Sequence, residues 1–155
     1  MQSKKLKWCF GVKDGLKIAE PNERLAKSYL KEAKLSLERA EKNFKDDDLL
    51  WTTVVIYYAE YYALYSFLQR IGIKCENHFC SILAAGKLLG DDRINIINQH
   101  KDKRIDAQYY MKVDKKNEVH KMLNEAKTFV SEFDELVSNL GKNDIDSYRS
   151  LLGKK

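Results

Sequence analysis

The chain has a single proline, Pro21, and none after it. Proline removes a backbone donor and disrupts helix interiors, so its absence leaves long stretches in which every N–H can join an intrahelical bond. The seven glycines are dispersed, and with one proline they supply too little punctuation for a turn-rich sandwich or barrel. The expected fold class is all-α. At 155 residues the length fits one domain, long enough to bury a core without a metal or disulfide.

Hydrophobic spacing divides that stretch into helices. Ala26, Tyr29, Leu30, Ala33, Leu37, Ala40 and Phe44 recur every three or four residues, the stripe of an amphipathic helix over about 22–45. Its other face carries Lys27, Lys31, Glu32, Lys34, Glu38 and Glu41, an ordinary solvated surface. Asp46, Asp47 and Asp48 offer a stop and a cap for a second helix running to about Arg70. From Val54 to Leu68 apolar and aromatic residues cover nearly every angle, so that helix is enclosed by its neighbours or by a second subunit. A third helix is expected over about 76–89, ended by Gly90, and a short fourth over 91–99. Residues 100–113 have no sustained period and read as a long functional loop. Val119, Met122, Leu123, Ala126, Phe129, Val130, Phe133, Leu136, Val137 and Leu140 define a last long helix over about 114–140. Residues 1–20 read as an N-terminal extension whose Trp8 and Phe10 tuck onto the body, 21–141 as the bundle, and 142–155 as a C-terminal tail with one marginal helix near 145–152.

Charge and cysteine usage narrow the class of function. The net charge of +5 is concentrated in residues 1–19 and 101–116, with balances of +4 and +3. That is weak for a dedicated DNA-binding domain, which gathers more charge on one face. Cys9, Cys75 and Cys80 form an odd set without regular spacing, and the N-terminus lacks the apolar run of a signal sequence, so the expected setting is a thiol-reducing cytoplasm. The most apolar stretch, 49–68, contains Glu60 and five tyrosines and is too polar to face lipid. No cofactor is expected.

Several side chains could carry chemistry. The five tyrosines of Y-Y-A-E-Y-Y-A-L-Y read as core or dimer-interface rings with hydroxyls at the rim. Glu60 shares a helix face with Ile56, Tyr57, Leu64 and Phe67, where a carboxylate is costly unless paired; it reads either as a local ion pair or as a group fixing Arg104 or a ligand hydroxyl. Cys75, His78 and Cys80 match no zinc spacing, and no metal is expected. His120 reads as a surface residue and His100 as the start of the basic loop; no nucleophile setting or phosphate-binding glycine loop is present.

The pattern A-K-S-Y-L-K-E-A-K-L-S-L-E-R-A, then Y-Y-A-E-Y-Y-A-L-Y-S-F-L, the connector G-I-K-C-E-N-H, and R-I-D-A-Q-Y before a final A-x-x-F helix resembles the HEPN family (higher eukaryotes and prokaryotes nucleotide-binding domain), over about 22–140. The resemblance implies an up-and-down bundle of four to five helices that forms a homodimer beside a small nucleotidyltransferase, its partner or antitoxin. Many members are similar to metal-independent endoribonucleases whose arginine is followed four to six residues later by histidine, the two copies meeting in an inter-protomer cleft. Arg104 matches the arginine, but Tyr109 and Tyr110 stand where histidine is expected, and tyrosine, with an ordinary pKa near 10, is a poor base at neutral pH. The R-x-x-A-x-Y form resembles a stand-alone branch in which arginine and tyrosine line the same cleft; Gly72 and His78 match it, and Gln108 replaces its usual aspartate. The expected function is a homodimeric module holding a nucleotide or RNA phosphate through Arg104, Tyr109, Glu60 and His78. The alternatives are an endoribonuclease toxin of a toxin–antitoxin pair, using Arg104 with Tyr109, and a purely structural dimerisation protein. Tyr109 or Tyr110 is also a candidate acceptor for nucleotide transfer by the partner.

Overall fold

The computed structural model describes residues 3–153 and shows an all-α protein of seven helices with one two-stranded ladder among them. Helix α1 (Lys4–Gly11) is followed by strand β1 (Lys17–Ile18), then by the long helices α2 (Glu23–Lys45) and α3 (Leu49–Ile71). Strand β2 (Ile73–Lys74) pairs antiparallel with β1, and α4 (His78–Leu89), α5 (Asp91–Tyr110), α6 (Lys116–Ser138) and α7 (Lys142–Gly153) complete the chain.

The long helices start and stop where their side chains dictate. Asn22 accepts from the N–H of Leu25 and Asp48 from that of Trp51, each satisfying a donor that the first turn leaves without a partner. Gly72 ends α3 at φ +83°, the left-handed conformation that glycine adopts without penalty. A Cβ there would also run into the Arg149 side chain and the backbone of Ala19 and Pro21.

Helix α3 is the central element, packed against α2, α4, α5, α6 and α7. Phe67 is fully buried against Phe133 and Tyr148, and burying a ring of that size is worth about 1.5–3 kcal/mol. Tyr57, Tyr61 and Tyr65 form a stacked column one turn apart, with centroid spacings of 6.1 and 5.9 Å. Each hydroxyl is bonded on the α4 side: Tyr57 to His78 Nδ1 at 2.8 Å, Tyr61 donating to Ser81 Oγ at 2.9 Å, and Tyr65 accepting from the Cys75 N–H at 3.0 Å. The column therefore fills the core and also positions the connector after α3.

Four features differ from the sequence expectation, the first being Trp8, which is half exposed and not tucked onto the body. Residues 100–110 are the second half of a continuous helix, not a loop. The inward face of α5 runs Ile94, Ile97, His100, Ala107, with Lys101, Arg104 and Gln108 half-buried alongside, so polar residues interrupt the apolar period that would have revealed the helix. Cys9 and Cys80 are joined in a disulfide across 71 residues of chain, and only Cys75 is a free thiol among the three. Helix α7 is firmly seated: Leu152 and Ile145 are buried, and Arg149 donates to the carbonyls of Ala19, Ile71 and Gly72.

Candidate functional site

Arg104 lies nearly two turns from the end of α5 and rests on the tyrosine-rich face of α3. Its guanidinium carbon is 5.0 Å from the Tyr57 ring centroid and 5.6 Å from that of Tyr58, within the range of a cation–π contact. Nη1 donates to Gln108 Oε1 at 3.4 Å, whereas Nε is buried without a hydrogen-bond partner. Among the described residues no carboxylate lies within ion-pairing distance of it. Its neighbours in the basic segment differ: Lys103 pairs with Asp114 at 2.9 Å and Lys116 with Asp47 at 2.6 Å. Arg104 is thus a half-buried charge held by rings and an amide, with part of its donor fork unspent.

His78 sits beside it, at the first position of α4 behind the cap Asn77, whose side chain accepts from the Cys80 N–H. The imidazole is stacked on Tyr61 at 3.8 Å, and its Nδ1 shares a hydrogen bond with the Tyr57 hydroxyl. Burial, then the charges of Arg104 and Lys101, hold its pKa below the ordinary histidine value, so the ring is neutral at neutral pH. Burial pushes the Tyr57 phenol well above the ordinary tyrosine range, so it remains a neutral hydrogen-bonding group. Lys101, one turn before Arg104, extends the cationic edge, its Nζ 5.9 Å from the Phe79 ring centroid.

Glu60 is occupied elsewhere. It is fully buried, and both its oxygens lie within 2.9 Å of His100 Nδ1, while His100 Nε2 is 3.2 Å from Glu125. Its partner is therefore His100, joining α3 to α5 and α6, and not Arg104. Burial raises the Glu60 pKa to about 7 against the lowering effect of His100. Burial alone would lower that of His100, but the hydrogen bonds and charges of Glu60 and Glu125 raise it overall. Both groups therefore hold their protons more tightly than in the unfolded chain, and with a carboxyl group at each ring nitrogen imidazolium is the form of His100 that can donate to both.

A scan against protein-family models matches the HEPN domain over residues 26–136, a span that runs from the first buried turn of α2 to near the end of α6 and includes Glu60, His78 and Arg104. The chain belongs to the HEPN domain family. No curated protein and no solved structure gave a match. Within this HEPN domain, Tyr109 and Tyr110 are each 67% exposed in the last turn of α5. Five positions after Arg104 corresponds to a rotation of about 140°, so Tyr109 leaves the helix in a different direction from the guanidinium. The structure thus brings Arg104 and His78 together around Tyr57 and Tyr58, buries Glu60 in a separate pair, and sets Tyr109 apart.

Tyr57, Tyr58, Lys101 and Gln108 adjoin Arg104 or His78 in this HEPN domain although sequence reasoning did not group them with Arg104. The available signal was the spacing Lys101, Arg104, Gln108, which lines up on one face once residues 100–110 are helical. A groove of about 700 Å³ between α5 and α6 lies elsewhere and includes neither Arg104 nor His78. Its lining mixes Arg93 and Lys121 with Asp92, Glu125 and Glu132, so it lacks the single sign of charge that an anion requires. Among the described residues no helix is long and apolar enough to cross a membrane, and no group of three or more His, Cys, Asp or Glu side chains could hold a metal.

Proposed function

We propose that this HEPN domain is a homodimeric binding module that holds a nucleotide or RNA phosphate at Arg104, in a cleft between protomers, and works with a small nucleotidyltransferase. The observation that carries phosphate binding is Arg104 itself: a half-buried guanidinium fixed on two tyrosine rings, with unspent donors and no carboxylate partner among the described residues. A rigid fork of that kind suits a phosphate, which accepts two parallel charge-assisted bonds. Lys101 adds charge along the same edge, and neutral His78 offers Nε2 as a further hydrogen-bonding atom. The proposed compartment is the cytoplasm, where a disulfide such as Cys9–Cys80 would be of the transient or oxidation-sensing kind.

The test is titration of the protein with mononucleotides and short RNA beside Arg104→Ala and Arg104→Lys. Losing a charge-assisted bidentate contact lowers affinity about tenfold or more, and lysine restores only part of it. Equal affinity in wild type and Arg104→Ala would remove this site from consideration.

A second reading, a metal-independent endoribonuclease toxin, draws support from one observation. His78 is a neutral imidazole next to Arg104, so a base and a phosphate-stabilising cation are adjacent even though Tyr109 replaces the expected histidine. RNA cleavage in excess chelator, abolished in both Arg104→Ala and His78→Ala, would favour this reading over binding alone.

A further inference from the structure

The geometry points to a base-stacking platform, formed by Trp8 and Phe79, that receives the base of a nucleotide unit whose phosphate lies on Arg104 and Lys101; it rests on the reading of Arg104 as a phosphate site. Trp8 is 53% exposed and Phe79 41% exposed, and they meet edge to face with centroids 6.5 Å apart. Together they form an exposed aromatic patch and not two scattered single residues. Here they adjoin the cationic edge directly. Phe79 follows His78 in the chain, Lys101 lies over the Phe79 ring, and Arg104 is one turn further along α5. A surface that runs from π faces to free cations complements a ligand with a flat aromatic group at one end and an anion at the other, joined by something the size of a sugar.

The platform is held in place by unusual means. Helix α1 has eight residues, too short to be stable alone, and it lies outside the span matched to the HEPN domain. Ser3 caps it by accepting from the Leu6 N–H, Leu6 is buried, and Cys9, the residue after Trp8, is bonded to Cys80, the residue after Phe79. The disulfide therefore staples the two ring-bearing turns together while both rings remain outward. In the oxidised protein the bond holds an exposed tryptophan beside an exposed phenylalanine, a fixed geometry of the kind a ligand surface requires.

The experiment uses the oxidised full chain with Trp51→Phe, which leaves Trp8 as the only tryptophan. Binding of adenosine 5′-monophosphate, ribose 5-phosphate and an adenylate hexamer is followed by Trp8 fluorescence and calorimetry. The nucleotide is expected to quench Trp8 and to bind about tenfold or more tightly than ribose 5-phosphate, the increment expected for stacking one base. Phe79→Ala should remove that preference, and Phe79→Tyr should restore it. A preference shown only by the hexamer would identify an RNA chain as the source of the nucleotide unit; one already present with the mononucleotide would identify the free nucleotide. Equal Arg104-dependent binding of nucleotide and ribose 5-phosphate, or a preference that survives Phe79→Ala, overturns the platform but leaves the phosphate site standing. Absence of any Arg104-dependent binding overturns both.

Discussion

Replacing Glu60 by glutamine removes the carboxylate at the centre of the Glu60–His100–Glu125 contact while keeping its shape and its ability to accept from His100 Nδ1. In the folded protein burial raises the Glu60 pKa from 4.5 to about 7. The folded state therefore retains a proton that the unfolded chain has released. The corresponding stability is fully present below pH 4.5 and is lost as pH rises towards 7. His100, also raised, acts with the same sign above 6.5, its ordinary value. A tenfold change in proton affinity is worth about 1.4 kcal/mol, so the Glu60 share amounts to roughly 3 kcal/mol across the window. The assay is urea unfolding at pH 5, 6, 7 and 8 for wild type and Glu60→Gln. Wild-type stability should fall by roughly 3 kcal/mol more than that of the variant between pH 5 and 8. With a urea slope of about 2 kcal/mol per molar, the midpoints diverge by roughly 1.5 M. His78, whose pKa is lowered, opposes the trend but is present in both proteins and cancels in the comparison. Identical pH slopes, or a wild type that gains stability over this range, would refute the raised proton affinity of the buried Glu60 carboxyl.

Two further outcomes follow from other parts of the structure. Reduction of Cys9–Cys80 opens a covalent loop spanning 71 residues, and the entropy regained by the unfolded chain costs the fold about 4 kcal/mol, to be measured by denaturation with and without reductant; an unchanged midpoint would mean that the bond does not form. In proton NMR His78 should titrate below 6.5 in wild type and move back upward in Arg104→Ala, where one of the two neighbouring cations is gone; a normal value in wild type would mean the ring is solvated and apart from Arg104.

Helices α2, α3 and α6 were legible because their reasons for existing are local. The cap offered by Asp46–Asp48, the continuous apolar run of α3 and the apolar stripes of α2 and α6 act within a turn or two of the residues that carry them. The second half of α5 was not legible for the opposite reason. His100, Lys101, Arg104 and Gln108 occupy its inward side, and a polar residue signals an inward position only once its partner is known. That partner is distant in the chain: Glu60 is 40 residues from His100, and the Tyr57 ring under Arg104 belongs to α3. The oddity of Glu60 on an apolar face was visible in the sequence, whereas the identity of the group that neutralises it was not. The same holds for Cys9 and Cys80, whose pairing depends on α1 folding back onto the first turn of α4.

By itself the sequence determined a proline-free set of long helices, an enclosed tyrosine-rich α3, and a family resemblance that the match over residues 26–136 bears out. Only the tertiary structure decided which charges are spent and which are free. It consumed Glu60 on His100, turned Tyr109 outward, and left Arg104 beside His78 on the rings of Tyr57 and Tyr58. The physical reason is that helix formation is governed by neighbours three and four residues apart, while the state of a buried charge is set by whatever the fold brings within about 3 Å of it.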